Sequence, residues 1–414
     1  MLLLSVEECR LIAARTLDLS EADAELIILD YQLIAGAAEL MGYMGEYYKL
    51  QLQLSYKQVE QHLQYFVKSL PYKNAPQRAE CERKGVFQKE TAIYANILPQ
   101  VQKYANRKLY PVCYYSRSDL MVLEDLTAHY RHLQPTESYS LAHYKLVLEH
   151  LAALHAASLA WEEAEQFRIG ERYKEVLKEL HLSQQNEWFT TGIKGIVFLA
   201  ARHAKYQTAA AQAFIKDKLY ALLAKTEQLV APVASMRNVL CHRDTWDRNI
   251  FFGFADTAAS LPNSCCIVDF QLTKYCSPLL DVLFLLYIVP TASERALIYE
   301  QCLEHYFNAL QAEFKRLGLA ADLFSRAQFE QQCQQMRLAA LTIWALTEPQ
   351  TKMSSVIANK LRAEEPEKFD YFLNTERNEL LLRVMKLQPG YEQKIMAPVE
   401  ELLDYLMQNE ELYA

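Results

Sequence analysis

The spacing of apolar residues changes character along the chain, and each change predicts a different element. Ser5 and Ser20 are each followed by acidic residues, the pattern of a helix N-cap, and predict helices near 5–17 and 20–28. From about 30 to 70 the period shortens. LDYQLIAGA, EYYKLQLQLS and QHLQYFVKSL are rich in Tyr, Leu, Ile, Phe and Val with partial alternation, and predict three strands. The stretch LMGYMGE between the first two holds Gly42 and Gly45. A helical period follows from 81 to 98, then a strand pair around YPVCYY and DLMVLEDL. After residue 126 the pattern turns helical, most clearly in YKLVLEHLAALHAASLAW. The runs VLC, IFF and CCIVD, between 239 and 269, read as short strands joined by loops, and from 296 the chain is helical again. The prediction is an α+β protein: a small β-rich unit over residues 1–126, then a larger helical unit over 127–414 with a short β insertion.

Composition narrows the class. With 51% apolar and 23% charged residues over 414 positions, the chain has the make-up of a globular protein with a sizeable core. Its 26 tyrosines and 17 phenylalanines beside only 10 glycines favour a helical body over a turn-rich β sandwich. A net charge of -8 without a long Lys/Arg run argues against a nucleic-acid surface. The most apolar run, LLDVLFLLYIVP at 279–290, is well short of the roughly 20 residues that span a bilayer and contains Asp281. MLLLSVEECR is too short an apolar run for a signal-peptide core, and nine cysteines without a CxxC spacing read as reduced thiols rather than a zinc site. The expectation is a cytoplasmic protein with no nucleic-acid, membrane or obligate protein partner.

Chemistry enters where charged residues interrupt apolar faces. Glu90 sits in the middle of the helical face formed by Val86, Ile93 and Ile97, where a carboxylate is costly unless paired. Lys68 ends an apolar strand on the face of Phe66 and Leu70 and is a candidate partner. A margin Glu reaching solvent and a strand-edge Lys are the plainer readings of each residue alone; the order glycine turn, strand, Lys68, helix, Glu90 is what favours a pair. Further on, LCHRDTWDRNIFF sets Asp244 and Asn249 five residues apart, off a common helical face, in a loop between two apolar runs. Asp244 could take a proton from an attacking hydroxyl or orient it, and Asn249 offers a neutral oxygen suited to Mg²⁺. Asp269 terminates CCIVD, where a carboxylate can bridge metal and phosphates. Singly, Asp and Asn in loops are turn formers; Asp-x4-Asn followed twenty residues later by an Asp ending an apolar run is much more specific.

These stretches resemble the protein-kinase-like superfamily, and within it the ecdysteroid kinase-like family of insect small-molecule kinases, related to choline and aminoglycoside kinases. The resemblance is carried by GYMGEYYKLQLQL, YFVKSLP, FQKETAIY, MVLEDL, LAALHAASLA, HRDTWDRNIFF, IVDFQ and SPLLDVLFLLY, in order from about 40 to 290, and by LNTERNELLLRVMKLQPGY in the tail. It implies a bilobal fold using ATP and Mg²⁺. The turn with Gly42 and Gly45 would lie over the nucleotide, and Lys68, held by Glu90, would bind its α/β-phosphates. Backbone groups of 123–126, including Glu124 and Leu126, would hold the adenine. Asp244 would be the catalytic base, Asn249 and Asp269 the metal ligands, and Asp281 a brace for the catalytic loop. Two departures stand out. Arg243 replaces the family's usual Gly, so a positive φ there would strain the backbone by ~1 kcal/mol or more, and Arg248 stands where relatives often have Asn.

HRD also occurs in protein kinases, but Trp246 stands where those enzymes place a lysine. Only eleven residues separate Asp269 from Asp281, too few for an activation segment. The long helical stretch 128–238 and the C-terminal helices would form a cleft for a small acceptor instead. The family resemblance favours an ecdysteroid or another apolar, hydroxylated molecule, including xenobiotics handled in detoxification. A choline- or aminoglycoside-type kinase, and a catalytically inactive ligand-binding protein, are the rival readings. The aromatics of the insert and later helices, Trp161, Trp188, Phe189, Phe198, Tyr206, Phe214 and Trp344, fit a core better than a ligand wall.

Overall fold

The computed structural model describes residues 3–36, 45–72, 74–134, 137–256 and 261–413. Gly42 of the predicted nucleotide turn lies outside the described residues. The first helix, α1 (Val6–Thr16), opens on a capping box in which the Ser5 and Glu8 side chains each accept the other's backbone N–H. It lays Cys9, Ile12 and Ala13 against a five-stranded antiparallel sheet ordered β1 (Leu26–Ala35), β2 (Glu46–Tyr56), β3 (Val59–Ser69), β5 (Leu120–Glu124), β4 (Cys113–Arg117). Alternation decides which side chain faces where. Leu50, Leu52, Leu54, Tyr65 and Val67 pack under α1, while Phe66 and Leu70 belong to the opposite apolar cluster, the face that Lys68 shares. The register pairs Tyr47 with Lys68.

No helix forms over 20–28. Ser20 and Asp23 instead close local turns, accepting the Ala22 and Glu25 N–H groups, and the β-branched Ile27 and Ile28 enter β1. The helical stretch predicted for 81–98 is broken at Gly85, whose φ of +66° ends α2 (Ala75–Lys84) and starts α3 (Val86–Asn96).

The chain leaves this sheet at Glu124 and at β6 (Tyr130–Arg131) joins a three-stranded sheet with β8 (Ile250–Gly253) and β9 (Ser264–Ile267). β7 (Val239–Cys241) pairs with β10 (Lys274–Cys276). Beneath them runs α4 (Leu141–Glu165), buried on nearly every turn; α5 (Glu187–Arg202) follows it in the chain, and α6 (Leu279–Ile288) and α7 (Ala292–Leu317) pack against α4. The tail adds α8 (Arg337–Thr351), α9 (Ser355–Glu364), α10 (Pro366–Asn374), α11 (Asn378–Leu387) and α12 (Tyr391–Asn409). A small sheet-based N-lobe thus stands beside a large helical C-lobe, the kinase-like division expected. No helix among the described residues is long and apolar enough to cross a membrane.

Candidate active site

Between the lobes lies a cavity of about 530 Å³, and every described residue proposed from the sequence for catalysis or phosphate binding lines it or abuts it. Lys68 enters from β3, 3% exposed, with Nζ 2.6 Å from Glu90 Oε2 and 3.0 Å from Asp269 Oδ1. The predicted pair is therefore a triad. Burial opposes the lysine's charge, but the Asp269 and Glu90 carboxylates outweigh it and hold the ammonium well above its ordinary range. Gly45 packs against this side chain: a Cβ there would sit 3.1 Å from the Ser69 carbonyl and 3.6 Å from Lys68 Cγ.

The loop expected to carry the catalytic residues follows β7. His242 accepts the Asp244 N–H at Nδ1 and donates from Nε2 to the Val268 carbonyl, which ties the loop to the residue before Asp269. Asn249 donates through Nδ2 to both the Asp244 side chain (2.8 Å) and its carbonyl (2.9 Å), so the amide and the carboxylate that sequence spacing separates are brought together. Burial, and then the negative charge of Asp269, push the Asp244 carboxyl up to about 8, against the Asn249 hydrogen bond and the Lys68 charge. Asp281, in the first turn of α6, accepts the backbone N–H groups of His242 (2.7 Å) and Arg243 (2.6 Å) and is within 3.1 Å of His155 Nε2. His155 in turn meets the Tyr306 hydroxyl. The carboxylate sits at the base of the loop as a brace.

Arg243 adopts φ +70°, the left-handed conformation that its replacement of glycine put in question, and Asp269 adopts +69°. The Arg243 guanidinium is bound by Glu179, 2.8 Å away. Nothing in the apolar periodicity marks Glu179, which lies in irregular chain between helices. Glu124 and Leu126 border the cavity; the Glu124 side chain is bound by Lys108 and the Val112 N–H, and the Leu126 carbonyl accepts the His129 N–H.

The N-lobe adds Tyr47, Phe66 and Val86 to the wall, and the C-lobe adds Trp246 between Asp244 and Asn249, Trp188 of α5, Phe284 and Ile288 of α6, and Phe369 and Leu373 of α10. Of the seven aromatics noted in the sequence, Trp188 alone lines the cavity; the others pack in the core or at its edge. Trp188 is stacked on His181 with ring centroids 3.8 Å apart, and the Arg377 guanidinium lies 5.1 Å from its centroid. Arg377 is itself buried and donates to the Trp188 and Leu346 carbonyls across Gly192. The short chain from Asp269 to Asp281 is filled by a single turn at 270–272 and β10, leaving no room for a peptide platform.

The ecdysteroid kinase-like family model matches residues 39–319, a span that contains Lys68, Glu90, Asp244, Asn249, Asp269 and Asp281. The chain belongs to that family. No curated protein matches it by sequence. Solved structures similar to this ecdysteroid kinase-like protein include APH(2")-IIa in its gentamicin complex, at 10% identity over 95% of this chain and 99% of that one, TM-score 0.39. LicA in complex with AMP matches at 14% identity over 92% and 99%, TM-score 0.39. The macrolide 2'-phosphotransferase MphH of Brachybacterium faecium matches at 13% identity over 81% and 92%, TM-score 0.38. Likeness at this level assigns no residue a role.

Proposed function

We propose that the protein is an ATP- and Mg²⁺-dependent kinase that transfers phosphate to a hydroxyl of a small, apolar, uncharged molecule, an ecdysteroid or a comparable xenobiotic alcohol. The observation that carries this reading is the convergence of a triad, Lys68, Glu90 and Asp269, and a pair, Asp244 and Asn249, on one interlobe cavity. Residues 1–126 form the nucleotide lobe on this reading and 127–414 the lobe of catalysis and acceptor binding.

The donor set fits Mg²⁺: the Asn249 amide oxygen and the Asp269 carboxylate are hard oxygen ligands, few enough to leave positions for phosphate oxygens and water. Bound there, the cation would neutralise charge on the transferred group and on Asp269. Lys68, oriented by Glu90, binds the α/β-phosphates; Gly45, without a side chain, leaves room beside Lys68 for them; the Glu124–Leu126 segment meets the base. Asp244 holds the acceptor hydroxyl in line and accepts its proton, with Asn249 fixing the carboxylate's direction. Such catalysis is chiefly positioning and charge stabilisation.

The acceptor class follows from the wall. Trp188, Trp246, Phe284 and Phe369 offer apolar surface, but Trp188 is already engaged by His181 and the Arg377 cation, so it makes a poor cage for a quaternary ammonium. That disfavours a choline-type substrate. The second reading, a binding protein without turnover, rests on the left-handed Arg243. Incubation of the protein with γ-labelled ATP, Mg²⁺ and a panel of steroid and xenobiotic alcohols, choline and an aminoglycoside decides between them. Label in an apolar alcohol is expected, and label only in the cationic acceptors, or in none, rejects the proposal. The same reading places the protein in the cytoplasm, where its nine thiols stay reduced.

A further inference from the structure

Glu179 lies 65 residues before Asp244 in sequence, in an irregular segment between α4 and α5, yet its two carboxylate oxygens divide between two tasks. Oε1 accepts the backbone N–H groups of His181 and Leu182, both at 2.9 Å, and so folds its own segment. Oε2 accepts from Arg243 Nη1 at 2.8 Å and Lys274 Nζ at 2.9 Å. All three side chains are buried or nearly so, at 16% exposure for Glu179, 5% for Arg243 and 10% for Lys274. Two desolvated cations on one carboxylate leave each dependent on it, since removing one member of a buried ionic cluster costs far more than the cluster's net worth. The neighbouring cations hold the Glu179 carboxyl well below its ordinary range despite its burial.

Residues 178–182 also reach other parts of the site. The Lys178 carbonyl accepts Lys89 Nζ at 3.0 Å, and Lys89 is the buried neighbour of Glu90 on α3. Leu180 and His181 line the cavity, His181 against Trp188. Arg243 is the residue immediately before Asp244 and holds a φ of +70°, a strained conformation for a residue with a Cβ. Asp281 secures the backbone of this turn from one side, and Glu179 holds its side chain from the other.

We propose that Glu179 is a positioning residue for phosphoryl transfer: through Arg243 it fixes the loop that carries Asp244, and through its own backbone contacts it joins that loop to the acceptor wall at His181. The proposal rests on the kinase reading for its consequence in turnover, while its mechanical part stands apart from it. It also explains how this chain accommodates an arginine in a left-handed conformation, since the strained residue has a built anchor.

The test compares the full-length wild type with Glu179→Gln, Arg243→Met and the double variant, reading backbone hydrogen exchange at 242–249 and steady-state kinetics in parallel. Glu179→Gln should speed exchange across 242–249 by about tenfold or more while amides of β2 and β3 keep their protection. Arg243→Met keeps the strained backbone but removes the lever, and should give the same local pattern. The double variant should be no worse than Glu179→Gln alone, because that substitution already cuts the Arg243 link. Turnover should fall with the exchange, as a loss in kcat at a nearly constant KM for ATP. If Glu179→Gln unfolds globally, Arg243→Met alone carries the test, because it leaves Glu179 its Lys274 partner. Unchanged exchange at 242–249 in Arg243→Met, or additive losses in the double variant, overturns the proposal. A wild type with no phosphotransfer to any acceptor, alongside the expected exchange pattern in the variants, would instead reject the kinase reading and leave the mechanical role of Glu179 standing.

Discussion

Lys68 illustrates what the site asks of single residues. Its ammonium is buried between two carboxylates, so the cost of desolvation is offset only while both partners remain. Lys68→Met should lower turnover by about a hundredfold or more, and Asp269→Ala should abolish it, with far-UV circular dichroism showing both folds retained. Glu348 on α8 is a different case, a buried carboxylate outside the proposed machinery. Burial pushes it up to about 7, against Lys352, the Trp344 Nε1–H, and the charges of Lys394 and Arg295. Its folded pKa is thus raised above the unfolded value. Below pH ~4.5 both states hold the proton and nothing is lost; from there to about 7 the unfolded chain ionises while the folded state stays protonated, so stability falls across that window and levels off above it. Glu348→Gln removes that penalty, so urea unfolding should show it on the order of 2–3 kcal/mol more stable than wild type at pH 8, with the difference gone near pH 4.

Among the elements, the β2–β3 hairpin sets the register that puts Lys68 opposite Tyr47. Its two-residue turn, Lys57 and Gln58, has φ of 51° and 64°, the geometry that favours Asn-Gly, yet neither residue is of that type. Lys57→Asn with Gln58→Gly should therefore stabilise the protein by roughly 1 kcal/mol, read as a higher denaturation midpoint in urea. The strands themselves were legible because alternation needs only the side chains in view. The helix expected over 20–28 was not real, because capping residues close turns equally well when β-branched residues downstream have a sheet to join. The residues of the site were visible wherever a charge broke an apolar run, as at Lys68, Glu90 and Asp269, or where a tight loop gathered polar side chains, as at Asp244 and Asn249. Glu179 and Arg377 left no such mark. One sits in irregular chain and the other at a helix start, and only the tertiary fold brings them to Arg243 and Trp188.

At the scale of the whole molecule, two lobes meet at a cavity lined by sheet residues such as Tyr47, Phe66 and Lys68 and by C-lobe residues such as Trp188, Phe284 and Phe369, the proposed nucleotide and acceptor sides. The tail reaches across this division: Asn374 at the end of α10 donates to Glu80 on α2. Nucleotide binding should therefore stabilise the molecule as a unit, by about 2.7 kcal/mol at a concentration one hundred times the dissociation constant. The most direct test of the central claim is calorimetric titration of ATP into wild type and Asp269→Asn, each with and without Mg²⁺. The account predicts binding in the wild type that Mg²⁺ strengthens, and loss of that Mg²⁺ dependence in the variant. Absence of ATP binding by the wild type, or the same Mg²⁺-dependent affinity in both proteins, would contradict it.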